Sequence, residues 1–246
     1  MNTHPTSYDT VGKSLYHADI VSFLRNTREH GARLWNEDKT KLAVKVVDLA
    51  GPDADKTIEC FVEREKIVSD NGLVFVDHDE SIIQKFAPQY PAFTWIHENL
   101  FDLLHDQKLE DVGVLLVDGF SEVGDDAIAS QLPNIHALIR RGIEARGAFV
   151  LAINCVIDTV VRRKRTRAAA LREWTETLAR GLSGYLPRRK LDADHLLPHG
   201  IAEVLDEDHD FVGSLAGTSA DGVPLGSFFV SRSHVQRMAN FRILLV

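Results

Sequence analysis

Between residues 42 and 182, short apolar runs alternate with stretches of helical spacing, and this alternation constrains the fold more than any other feature of the chain. The runs are 42–49, 73–77, 93–97, 112–118 and 148–157. Each is rich in Val, Ile, Leu or Phe, and several are apolar throughout, as strands covered on both faces must be. The spacing between them predicts crossover helices over 54–66, 81–87, 128–141 and 162–182, presenting for example Ile58, Phe61 and Val62 or Leu171, Trp174 and Leu178. Repeated strand–helix–strand units predict an α/β fold: a doubly wound, mostly parallel sheet with right-handed crossovers. After residue 183 the pattern breaks. Apolar runs over 211–217 and 225–232 flank Asp221-Gly222, a hairpin signal, and another run ends the chain at 241–246. An antiparallel hairpin is therefore expected to close the sheet. Residues 14–34 carry helical spacing of their own, which divides the chain into a helical N-terminal extension (1–40) and a Rossmann-like domain (41–246).

With 246 residues, 44% of them hydrophobic and 26% charged, the chain can bury a large core. No apolar run approaches the roughly 18 residues that a bilayer demands. The first residues are polar and lack the apolar stretch of a secretory signal, so a cytoplasmic protein is expected. Cys60 and Cys155 both sit in apolar stretches, which points to two buried thiols rather than a disulfide. The net charge of −8 is unevenly spread. Residues 162–190 carry ten Lys or Arg and two Glu, a local +8, which leaves −16 for the rest. Residues 191–210 then hold seven acids and no Lys or Arg. Such a basic band can attract an anionic partner, pair with the acidic segment beside it, or form a solvated helix face.

In an open α/β sheet, ligands bind beyond the carboxyl ends of the strands. The first four runs end in Asp48-Leu-Ala-Gly51, Asp77-His78-Asp79, His97-Glu98-Asn99-Leu100 and Asp118-Gly119-Phe120. Acids and an amide at every end are costly unless they face solvent or a ligand. Gly51 lets a backbone turn pass close to a ligand. Asp77 stands where a carboxylate can accept hydrogen bonds from a ribose diol. Asn99 offers both a donor and an acceptor to an adenine edge. The competing expectation for any strand-end Asp is the N-cap of the next helix, the role expected of Asp53 and Asp79.

These segments resemble the motifs of class I S-adenosylmethionine (SAM)-dependent methyltransferases. Residues 45–52 (Lys-Val-Val-Asp-Leu-Ala-Gly-Pro) resemble the first motif, 74–83 the ribose-binding second, 96–104 the adenine-approaching third and 112–120 the fourth. The resemblance covers about residues 42–157. It implies SAM lying across strands one to four, with Asp48 and Gly51 near the methionine end, Asp77 and His78 at the ribose and adenine, and Asn99 and Leu100 at the adenine. Asp118 would contact the reacting group, with His97 and His105 as alternatives. The sequence departs from the family in two places. Asp53 and Ala54 stand where small, permissive residues are usual. Strand four ends Asp118-Gly-Phe-Ser, rather than the Asn/Asp-Pro-Pro-Tyr of amino-methylating nucleic-acid enzymes.

Other signals are weaker. Gly12-Lys13-Ser14 resembles the end of a phosphate-binding loop, but the preceding residues supply neither strand nor glycine. Lys13 and Tyr16 are expected instead in a segment able to fold over the cleft. Asp192, Asp194, His195 and His199 could gather at a metal, but Pro198 breaks the helix that spacing needs, and a solvated loop is the simpler reading. Arg162, Arg163, Lys164, Arg165 and Arg167 open a predicted helix against its dipole, a cost that binding nucleic-acid phosphates would offset.

The expectation is thus a SAM-dependent methyltransferase whose acceptor is unidentified, with the basic band favouring nucleic acid. A Rossmann-like binding or scaffold protein without catalysis is the second reading. A dinucleotide enzyme ranks third, because Gly-x-Gly-x-x-Gly is absent.

Overall fold

A computed structural model describes residues 10–105, 109–122, 126–156, 176–177, 180–182, 213–218, 224–232 and 237–245. Eight strands form one sheet: β1 (Lys45–Leu49), β2 (Leu73–Asp77), β3 (Thr94–His97), β4 (Val112–Glu122), β5 (Phe149–Val156), β6 (Gly213–Thr218), β7 (Pro224–Arg232) and β8 (Arg237–Leu245). Their order is β3-β2-β1-β4-β5-β8-β7-β6. The first five are parallel, and β8, β7 and β6 follow antiparallel to their neighbours. This is a Rossmann-like α/β fold with the expected β6–β7 hairpin. The hairpin reaches the parallel strands through β8, which pairs with β5 along eight residue positions from Phe149↔Leu245 to Val156↔Met238.

Among the described residues, the helices whose full range is seen are α1 (Thr10–Asn26), α2 (Ala54–Ile58), α3 (Glu80–Phe86), α4 (Leu100–His105) and α5 (Asp126–Arg146), and residues 176–177 and 180–182 are also helical. Successive strand residues point to opposite faces, so each strand serves two cores. Val47, Val74, Leu115 and Leu151 pack with Leu103, Leu104, Leu138 and Ile139 of α4 and α5. Val46, Phe75, Leu116 and Ala152 pack on the other face with Ile20, Leu24, Ile58 and Phe61. Two buried faces explain why these strands read as continuous apolar runs rather than as alternations.

The expected helix over 54–66 is split. After α2 the backbone widens into a π-helical turn, Glu59–Arg64, closed by a bond from the Glu65 N–H to the Cys60 carbonyl at 2.9 Å. Helix α5 runs five residues past the expected end at Arg141 and carries Pro133 inside it, exposed. On the α3 face Trp95 is stacked on Phe75 (4.4 Å between centroids) and on Phe86 (6.0 Å). Its indole N–H donates to the Tyr90 carbonyl at 3.0 Å, so this half-buried donor is satisfied.

Helix α1, expected in an extension, contributes Tyr16, Ile20, Val21, Phe23 and Leu24 to the same core as β1, β2 and β4. It also packs on β7 and β8. Asp19 of α1 forms an ion pair with Arg242 of β8, which is fully buried. Burial lowers the Arg242 pKa, while the neighbouring Asp19 and Tyr16 oppose that shift. Tyr16 is therefore part of the packed interior rather than of a flap over the cleft. No helix among the described residues is long and apolar enough to cross a membrane. The metal-cluster candidates Asp192, Asp194, His195 and His199 lie outside the described residues, as does nearly all of the expected 162–182 helix.

Candidate functional site

Strand order reverses between β1, which leads outward to β2 and β3, and β4, which leads to β5. A crevice is expected there, beyond the carboxyl ends of the strands. The four predicted polar tips start from this end of the sheet, but they have different surroundings.

Gly51 and Asp77 come together. Gly51, two residues past β1, has φ +59°, and a Cβ built on it would meet no atom within 4 Å. The turn is thus left-handed and open on its outer side, which is the situation that favours glycine. Its N–H donates to Asp77 Oδ2 at 3.0 Å. The Asp79 N–H donates to Asp77 Oδ1 at 2.8 Å. One carboxylate therefore ties the loops after β1 and β2 to each other. It is buried, yet two accepted bonds do not exhaust an ionised carboxylate, which has about four acceptor positions. His78 beside it is largely exposed, with Nδ1 at 3.5 Å from Asp77 Oδ1.

Asp48 is committed inward. Its Oδ2 accepts from Thr57 Oγ1 at 2.6 Å, and Thr57 Oγ1 lies 3.3 Å from His17 Nε2. All three residues are buried, and His17 packs edge-on against Phe61 at 6.1 Å. Asp48 sits on the same face of β1 as Val46, the face covered by α1 and α2. Thr57 and His17 were not anticipated as its partners. Thr57 lies on the buried face of α2 next to Ile58, where an isolated Thr gives little signal by itself.

Asn99 acts as a cap. Its Oδ1 accepts from the Phe101 N–H at 2.9 Å, at the start of α4. Leu100 is buried in the α4–α5 core at 2% exposure, so its side chain is a packing residue in this conformation. His97 is turned toward its neighbour loop, with Nε2 at 3.0 Å from the His78 carbonyl oxygen. Asp79 caps α3 as expected, accepting from both the Ser81 N–H at 2.9 Å and its hydroxyl at 2.7 Å. Asp53 occupies the N-cap position of α2 without making a side-chain cap bond.

Asp118 lies inside β4 rather than at its end. From Val117 to Ser121, β4 advances four residues while its partner β5 advances two, from Ile153 to Cys155. Asp118, Gly119 and Phe120 thus form a bulge in the ladder, and the strand resumes beyond them. Such bulges re-aim side chains and recur beside active sites. The side chain of Asp118 is outside the described residues, as is that of His105, and Arg162, Arg163, Lys164, Arg165 and Arg167 lie outside them altogether.

Among the described residues no group of three or more His, Cys, Asp or Glu could hold a metal ion. The Cys60 thiol is free and buried, and burial raises its pKa to about 11 against the opposing pull of Arg64, whose Nη2 donates to Sγ at 3.1 Å.

No protein-family model matches the chain, and no curated protein matches it. Among solved structures it is similar to a protein of Corynebacterium glutamicum, at 12% identity over 93% of this chain and 88% of that one, with a TM-score of 0.31. A likeness of that degree carries no functional argument. The class is defined by the chain's own strand order: an α/β protein of Rossmann-like fold.

Proposed function

We propose that this protein binds SAM across the carboxyl ends of β1 and β2 and transfers its methyl group to an acceptor. One observation carries the reading. The open, left-handed turn at Gly51 is latched to Asp77, so a glycine that tolerates close approach and a carboxylate with spare acceptor capacity are held side by side at the reversal of strand order. A nucleoside with a ribose diol suits that pair. SAM would supply a methyl group already activated on a sulfonium. What the protein must add is position: Gly51 and Asp77 hold the adenosyl part, His78 lies at its exposed side, and Asp118, in the bulge of β4, is the residue proposed to contact the reacting group. The acceptor we propose is nucleic acid, on the strength of the +8 carried by residues 162–190, with Arg162, Arg163, Lys164, Arg165 and Arg167 contacting phosphates.

A second reading draws on the same geometry. Asp48 is engaged by Thr57, and Asn99 caps α4. Two of the four polar tips thus have structural employment, which favours a Rossmann-like binding or scaffold protein that performs no transfer. Incubation with methyl-labelled SAM and mixed RNA, DNA and protein acceptors separates the two. Label appearing in one acceptor class supports the enzyme and names its substrate. SAM binding without any transfer supports the scaffold. An absence of SAM binding removes the first reading.

A further inference from the structure

A second hollow lies at the opposite end of the sheet. Its volume is about 270 Å³, and it opens between the start of β4 and the last turns of α5. Its apolar wall is Leu109, Val112 and Leu138, and its charged residues are Glu110, Asp111, Arg141 and Arg146. Val112 and Asp118 are six residues apart on one strand, roughly 20 Å at about 3.3 Å per residue, so this hollow is separate from the crevice.

The two arginines differ. Arg146 is held by Asp111, which accepts from its Nη2 at 2.6 Å and its Nε at 3.0 Å. Asp111 adopts φ +57° beside it. Arg146 also lies in the last turn of α5, where the helix dipole favours a cation. Arg141 has neither support. It precedes the last turn, beyond the reach of the dipole, and its Nη2 is buried with no hydrogen-bond partner. Glu110 lines the same hollow and makes no ion pair with it. The half-buried guanidinium of Arg141 thus has no acceptor, an unfavourable state that an anionic oxygen bound against it would relieve.

We propose that this hollow is a binding site for a small amphipathic monoanion, a short aliphatic carboxylate. The head group pairs with Arg141, and the tail lies against Leu109, Val112 and Leu138. The size is just below the roughly 300–1,000 Å³ of ordinary ligand pockets, which suits a short chain. A monoanion is favoured over a phosphate dianion because Arg146 is already neutralised by Asp111 and Glu110 adds a negative charge at the rim. The site is independent of the methyl-transfer reading.

The test uses the full chain and sodium hexanoate as the probe, followed by calorimetry and saturation-transfer NMR. Hexanol and inorganic phosphate serve as controls for the tail alone and the anion alone. Hexanoate is expected to bind more tightly than either control. Arg141→Met, which keeps the apolar stem, should weaken it tenfold or more, as loss of a charge-assisted hydrogen bond predicts. Ala145→Trp, a change at an exposed lining position, should block the hollow while leaving Arg141 in place. Thermal unfolding of both variants checks that they fold. Failure of hexanoate to bind, equal binding by wild type and both variants, or preference for phosphate would overturn the proposal.

Discussion

Asp77 Oδ2 accepts the N–H of Gly51 at 3.0 Å, joining two loops 26 residues apart in the chain. The bond fixes the shape of the turn after β1, and φ +59° at Gly51 is a consequence of that shape. Gly51→Ala meets no steric obstacle, because the space around the missing Cβ is empty. Its cost is conformational: an L-residue in the left-handed region loses about 1–2 kcal/mol. Urea denaturation of Gly51→Ala should show a loss of that size, and any larger loss would mean that the turn is also packed.

The Asp48–Thr57 bond predicts an asymmetry between two near-isosteric changes. Thr57→Val keeps the volume but removes the donor to a buried carboxylate. It should cost about 1–3 kcal/mol in chemical denaturation. Thr57→Ser keeps the hydroxyl and should recover most of that. A larger loss in Thr57→Ser than in Thr57→Val would place the contribution of Thr57 in its methyl group rather than in its hydrogen bond.

Arg242 and Asp19 tie the C-terminal strand to the N-terminal helix through a buried ion pair. Removing one partner leaves a charge in an apolar setting. Asp19→Leu and Arg242→Met are each expected to destabilise the protein by about 3–5 kcal/mol. The double change Asp19→Leu with Arg242→Met should be milder than the sum of the single changes, because no charge is left uncompensated. Additive losses in this cycle would show that the two side chains act independently.

Cys60 offers a pH dependence with a definite sign. Burial raises its folded pKa from 9.0 to about 11. A thiol kept protonated by folding contributes stability that is fully present below pH 9 and is lost as pH rises toward 11. In a Cys155→Ser background, alkylation by iodoacetamide should therefore be slow at pH 8 and accelerate across that window, together with a falling melting temperature. Rapid alkylation of the folded protein at pH 8 would contradict the buried, neutral thiol.

The strands were legible in the sequence because burial on both faces leaves a simple mark. The expected run 73–77 coincides with β2, and the other parallel strands differ mainly at their ends. The ends blur where backbone geometry departs from a regular ladder. The bulge at Asp118–Phe120 carries β4 on to Glu122, and a polar Asp-Gly pair reads as a terminus when it is a bulge. The π-turn after α2 is similarly hidden, since its side-chain pattern is close to that of a continuing helix. At the candidate site, Gly51 and Asp77 were singled out by their positions at strand ends, whereas the bond that joins them left no mark in the sequence. Asp48 and Asn99 occupy equivalent positions, yet Asp48 is committed to a hydroxyl from α2 and Asn99 to a backbone N–H of α4. Strand-end position alone does not say whether a polar group is taken by its own loop, because that depends on which donors the fold brings within about 3 Å.

The most direct measurement is a calorimetric titration of S-adenosylhomocysteine, the demethylated product, into wild type, Asp77→Asn and Asp77→Ala. Wild type should bind it with micromolar affinity, the Asn variant, which keeps a neutral acceptor, more weakly, and the Ala variant not at all. Absence of heat with wild type at millimolar ligand, or affinities unchanged across the three proteins, would contradict a nucleoside site built on Gly51 and Asp77.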